Sequence, residues 1–152
     1  MKLSKNFSLA ELTKSETAIR KDIDNSADEI IVAHLQALVD NVLQPARDKF
    51  GSVRVTSGYR SPLLNSSIGG SKTSQHCYGF AADFEVTGMD NKDLAVWIRD
   101  NLQFTQLILE FYTEGEPNSG WVHCAYDAKD LKNQVLTATK VGGKTTYVTG
   151  LA

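Results

Sequence analysis

The chain has 152 residues, of which 41% are hydrophobic and 22% charged, enough apolar material for one packed domain and too much for a disordered chain. Sixteen Lys and Arg against 18 Asp and Glu leave a formal charge of -2, which offers no electrostatic footprint for nucleic acid or an anionic membrane. No apolar run approaches the roughly 20 residues of a membrane span, and the basic opening at residues 1–5 lacks the apolar stretch of a signal peptide, so a chain made in the cytosol without stable membrane association is expected.

In chain order, the N-terminal third reads as helical. Ser8 with Glu11 makes a capping box, with Phe7 and Leu12 placed as its hydrophobic staple. A second box, Ser26 with Glu29, is expected to open a longer helix whose apolar positions Ile31, Leu35, Leu38 and Val42 follow the 3.6-residue period. Pro45 should kink that helix or end it near Gln44. His34 lies beside the apolar stripe and is assigned no role. From Val53 the pattern changes to alternation, a strand running into Ser57-Gly58-Tyr59-Arg60. Ser61-Pro62 supplies an N-cap and first-turn proline for a short helix stopped by Gly69-Gly70.

Residues 80–86 alternate again and read as a strand, after which Asp90 caps a helix carrying Leu94, Trp97, Ile98 and Leu102 on one face. Strands are expected at 106–112 and 121–126, and residues 135–141 and 144–148 read as a hairpin turning at Gly142-Gly143. Helices first and strands later give an α+β domain, with an antiparallel sheet expected.

The stretch with chemical content is Ser74-Gln75-His76-Cys77-Tyr78-Gly79-Phe80-Ala81-Ala82-Asp83. Gly79 breaks the extended run, so His76 can sit on a loop folded back over the strand bearing Asp83. On that strand Phe80, Ala82 and Phe84 share the core face, leaving Asp83 on the other beside small Ala81. A second histidine comes from Trp121-Val122-His123, where Trp121, His123 and Ala125 share a face. Two imidazoles and a carboxylate, completed by water, are the make-up of a catalytic zinc site. A closed site recruiting Cys77 and Cys124 has no C-x-x-C spacing behind it, and Cys124 should point away from His123. Buried thiols are the plainer reading.

The run Ser74-x-His76-x-x-Gly79-x-Ala81-x-Asp83 resembles the signature of the M15 zinc peptidases, which include D-alanyl-D-alanine carboxypeptidases, vancomycin-resistance dipeptidases and L-alanyl-D-glutamate endopeptidase endolysins of phages. Ser57-Gly58-Tyr59-Arg60-Ser61-Pro62 with Asn65 and Gly69-Gly70, then Leu107-Ile108-Leu109-Glu110, then Gly120-Trp121-Val122-His123 look like the small single-domain, phage-like branch of that family. Phe7-Ser8-Leu9-Ala10-Glu11-Leu12 with Ser15-Glu16-Thr17-Ala18 is similar too, so the resemblance runs from about residue 7 to 126. It implies that residues 1–152 form a single zinc peptidase domain with the Hedgehog/DD-peptidase-like fold. His76, Asp83 and His123 would bind Zn2+, and Arg60 would meet the oxyanion or hold the substrate carbonyl.

Several members of the family carry an acidic residue three positions before the second histidine, where this chain has Gly120. Glu110 is the replacement expected as general base. It alternates with Ile108 and Tyr112 on one strand face, while Leu107, Leu109 and Phe111 fill the other. An acid within such an apolar run needs a polar partner, and the hydrolytic water would be one. Glu114 and Glu116, in the following loop, are weaker candidates because a mobile loop holds a base poorly. Ser74 and Gln75, flanking the first ligand, could hydrogen-bond substrate backbone or steady the ligands.

The expected activity is hydrolysis of a peptide bond in peptidoglycan stem peptides by a monomer with no nucleic-acid partner. As a phage or prophage endolysin it would accumulate in the host bacterial cytoplasm and reach the wall after membrane breach. A carboxypeptidase trimming terminal D-alanine and a non-catalytic zinc module binding the wall or a virion are the alternatives.

Overall fold

The computed structural model describes residues 1–151. Two short helices, α1 (Leu9–Thr13) and α2 (Glu16–Arg20), open the chain. The capping box of α1 is formed, with Ser8 Oγ accepting from the Glu11 amide and Glu11 Oε1 accepting from the Ser8 amide, each at 3.3 Å. Phe7 and Leu12 both enter the core.

The next helix departs from expectation at both ends. Helix α3 (Glu29–Leu38) is capped by Asp28, whose Oδ1 accepts from the Ile31 amide at 2.9 Å. Ser26 is not the cap, because its amide and hydroxyl are both committed to Asp24 Oδ1. A carboxylate nearer the first turn also suits the positive end of the helix better than a hydroxyl. Pro45 does not end the run either. A π-helical turn at Val39–Leu43, in which the Gln44 amide reaches back to the Val39 carbonyl, leads directly into α4 (Gln44–Phe50). The wider turn accommodates a proline ring that would press on a carbonyl in regular α geometry.

Strand β1 (Val53–Ser57) is followed by α5 (Pro62–Ser67), capped by Ser61 as its sequence indicates. Then come a 3-10 turn (Gln75–Tyr78), β2 (Ala81–Val86), α6 (Asn91–Asn101) with Asp90 as its cap, β3 (Gln106–Glu110), β4 (Trp121–Ala125), β5 (Gln134–Val141) and β6 (Lys144–Thr149). The six strands form one sheet in the order β1-β2-β4-β3-β5-β6. Among the described residues no helix is long and apolar enough to cross a membrane.

The sheet is mixed rather than antiparallel, because β5 runs parallel to β3. Residues of β4 and β5 share a partner in β3: Gln106 lies beside Ala125, where β4 ends, and beside Gln134, where β5 begins. The connection therefore stays at one end of the sheet, and a strand that starts there must run with β3. Asn133 fixes this crossing by accepting from the Phe104 amide and donating its own amide to the Phe104 carbonyl. The β5–β6 hairpin forms as expected, with Gly142 and Gly143 at φ 59° and 79° between paired Val141 and Lys144, the twist a two-residue hairpin turn needs.

One sheet face carries Ala82, Phe84, Leu107, Leu109, Val122 and Cys124, all buried in a cluster with Leu35, Leu38 and Val42 of the long helical run and Leu94 and Ile98 of α6. Alternation breaks at the end of β3. Phe111 adopts φ 57°, so it leaves the core face and its ring lies 5.4 Å from that of Trp121. Tyr112 takes its place against the core and donates its hydroxyl to Asp90. The other sheet face is open over β2, β4 and β3, and the polar residues converge there.

Candidate metal centre

Asp83 on β2 and His123 on β4 are direct cross-strand partners, so both side chains leave the sheet on the same face. His76 approaches from above on the 3-10 turn. Ser74 caps that turn by accepting from the His76 amide, and Gly79, left-handed at φ 76°, ends it and turns the chain into β2. His34, assigned no role from sequence, braces the turn's last residue with its Nδ1 2.6 Å from the Tyr78 carbonyl. The result puts Asp83 Oδ1 3.3 Å from His76 Nε2 and 3.0 Å from His123 Nδ1. The three ligand atoms lie within 4.8 Å of one another.

The protons on the two rings are fixed by their outer neighbours. His76 Nδ1 is 2.7 Å from the Gly58 carbonyl, which can only accept, so this nitrogen carries the hydrogen and Nε2 is bare. His123 Nε2 is 2.9 Å from Gln75 Oε1, an acceptor that suits the tautomer with Nδ1 bare. Two ring lone pairs and a carboxylate oxygen thus face one another across about 3 Å, an arrangement that repels itself unless a cation sits among them. Burial lowers the His76 pKa, keeping the ring neutral and able to ligate. Side chains only 4, 13 and 9% exposed for His76, Asp83 and His123 present ready donors to a metal ion.

Arg60 and Glu110 flank these donors from opposite sides. Arg60 Nη2 lies 3.8 Å from Asp83 Oδ2, and Nη1 donates to Asn65 Oδ1 at 3.3 Å. Arg60 Nε is buried and has no hydrogen-bond partner among the described residues. Glu110, on β3, accepts at Oε2 from the Trp121 indole at 2.8 Å. Burial raises its pKa, partly offset by His123 and by the indole hydrogen bond. Both residues line the groove of about 500 Å³ that contains the three donors, together with Ser74 and Gln75.

The remaining sequence candidates fall outside this groove. Glu114 and Glu116 are exposed on the loop after β3, and Glu114 pairs with Lys92. Cys124 is fully buried on the core face with its thiol pKa pushed up by burial, and Cys77 is a half-buried free thiol outside the donor cluster. A closed His and Cys site is therefore not built. Gly120 explains the missing acid: at φ 63°, a Cβ placed on it would lie 2.0 Å from the Glu110 carbonyl oxygen. No side chain fits there without moving backbone. Sequence reasoning overlooked the Gly58 carbonyl, the Trp121 indole and Tyr147, which also lines the groove. Alternation put Trp121 on the His123 face, but only strand register reveals that it meets Glu110.

None of the curated proteins compared with this chain matches it. A family model described as Peptidase M15 matches residues 5–125, a span holding His76, Asp83, His123, Arg60 and Glu110 and ending at the last residue of β4. With four fifths of its length so matched and a His-Asp-His donor set in place, the chain belongs to the peptidase M15 family.

Proposed function

We propose that this protein is a zinc-dependent peptidase that cuts within the stem peptides of bacterial peptidoglycan, on a scaffold of the Hedgehog/DD-peptidase kind. The observation that carries internal cleavage is that separate cavities flank the groove of the donors on both sides. Arg60 is shared with a neighbouring cavity of about 550 Å³ that also involves Lys14, Thr56 and Tyr59. On the far side Trp121 is shared with a cavity bordered by Phe111 and Lys140. Space on both sides of the donors suits a chain that extends in both directions, which an endopeptidase requires. Two nitrogens and one carboxylate oxygen, with room for water, favour zinc.

Bound zinc supplies a Lewis acid toward the scissile carbonyl and makes water acidic enough to attack near neutral pH. Glu110 takes the proton from the attacking water and returns it to the leaving amine, a task suited to a carboxyl raised above its ordinary pKa. Arg60, oriented by Asn65, places its guanidinium where negative charge develops on the carbonyl oxygen. Gln75 and the Gly58 carbonyl hold the two imidazoles in the tautomers that ligation needs. In this reading the protein is an endolysin that acts on the wall once the membrane is breached, a role supported by the resemblance of its sequence motifs to the phage-like branch of the family.

Mass analysis of purified peptidoglycan, incubated with the protein with and without a zinc chelator, tests this reading. Chelator-sensitive release of internally cut fragments supports it. Loss of terminal D-alanine alone assigns a carboxypeptidase instead. An unchanged wall, with zinc confirmed in the protein, overturns the enzyme reading in favour of a binding module.

A further inference from the structure

The β5–β6 hairpin lies beyond the family match, yet it contributes a side chain to the groove. Strand register sets out one cross-strand row: Trp121 on β4, Glu110 on β3, Ala138 on β5 and Tyr147 on β6. Glu110 and Tyr147 are two strand spacings apart, roughly 10 Å between backbones. Only the methyl of Ala138 stands between them, and Ala138 is fully buried although it lies near the sheet edge. A larger residue there would hold the phenol away from Glu110. With alanine the ring can lean inward, and Tyr147 lines the same groove as Glu110 and the metal donors.

Tyr147 remains 54% exposed, and its hydroxyl has no hydrogen-bond partner among the described residues. Burial and the nearby Glu110 charge both raise its pKa, so it stays a protonated donor at neutral pH. A donor with no internal partner, beside a base that is itself an acceptor already engaged by Trp121, is free for an acceptor on a bound molecule. Peptides present such acceptors along their whole length as carbonyls and carboxylates.

We infer that Tyr147 is a substrate-binding residue: on the Glu110 side of the groove its hydroxyl donates a hydrogen bond to a carbonyl or carboxylate oxygen of the bound peptide, so the hairpin helps to set which peptides this chain accepts. The inference rests on the peptidase reading for the identity of that peptide.

The test uses zinc-loaded protein and soluble muropeptides. KM and kcat are measured for the wild type, Tyr147→Phe and Thr146→Ala. Muropeptide Kd is measured in a Glu110→Gln background with and without Tyr147→Phe. Removing only the hydroxyl is expected to raise KM and Kd roughly 3- to 10-fold with kcat nearly unchanged, the size of one neutral hydrogen bond. Thr146→Ala, on the opposite face of β6, is expected to leave both constants alone. Wild-type hydrolysis with KM and Kd unchanged in Tyr147→Phe overturns the inference while the peptidase reading stands. Binding weakened by Tyr147→Phe without wild-type hydrolysis upholds the inference and overturns that reading. A protein that neither binds nor cuts any muropeptide overturns both.

Discussion

The two faces of the central strands are built from neighbouring residues with opposite fates. Leu109 and Glu110 are adjacent on β3, and Cys124 and His123 are adjacent on β4. Leu109 and Cys124 disappear into the helix-covered core, at 1 and 0% exposure. Glu110 and His123 turn the other way into the groove. The first face is held by apolar contact and tolerates no charge. The second gathers like partial charges and lone pairs, an arrangement that contributes nothing to stability by itself. A strand period of two residues therefore separates folding from chemistry one position at a time.

Adjacent substitutions break this comparison most sharply. On the proposed mechanism, Glu110→Gln is expected to lower kcat by roughly 10²- to 10⁴-fold, the usual worth of a general base, while bound metal stays stoichiometric. Its stability should not fall at neutral pH. A carboxyl whose pKa is raised on folding stabilises the protein while protonated, below the ordinary value, and loses that contribution as pH rises through the raised one. At neutral pH the ionised group is thus a burden that Gln removes. Leu109→Ala should do the reverse, costing about 2 to 5 kcal/mol in denaturant unfolding through the cavity it leaves, with kcat/KM of the remaining folded enzyme within a few-fold of wild type. If Leu109→Ala and Glu110→Gln affected stability alike, the division of the two faces would be wrong.

Much of this site was legible because it depends on parity. Alternation alone put Asp83, His123 and Glu110 on faces opposite Phe84, Cys124 and Leu109, and Gly79 marked where the loop bearing His76 turns back. What alternation does not carry is register and direction. The pairing of Trp121 with Glu110, the reach of Tyr147 over Ala138 and the parallel course of β5 each follow from which strands end side by side. Local competition was also hidden. Asp24 takes Ser26 away from the helix, and the left-handed Phe111 reverses the faces that Phe111 and Tyr112 were expected to occupy.

Gly120 joins the two kinds of information. As a sequence position it marks a missing acid, and as a structural position it marks where the residue before β4 lies against the backbone at the end of β3. Gly120→Asp, which restores the acid found there in other members, should not supply a second base. Its side chain meets backbone of Glu110 and Phe111 in a left-handed conformation, so a loss of about 2 kcal/mol or more is expected. Chemical unfolding reads this directly. A Glu110→Gln/Gly120→Asp double variant that is stable and active would show that the backbone can yield and that the acid's position is interchangeable.

The smallest expected effect sharpens the comparison within the groove itself. Trp121 and Glu110 are cross-strand partners, and the indole donates to the carboxylate at 2.8 Å. That bond favours the ionised form and opposes the upward pull of burial on the Glu110 pKa. Trp121→Phe keeps an aromatic ring and removes the donor, so the Glu110 pKa should rise further. A base must be ionised to accept a proton, so the acid limb of kcat/KM against pH should move to higher pH, while rates well above the limb converge with wild type. Zinc content at each pH separates this shift from loss of metal. An acid limb that stays in place, with zinc retained, would mean that another group sets it, and the role given to Glu110 would pass to that group.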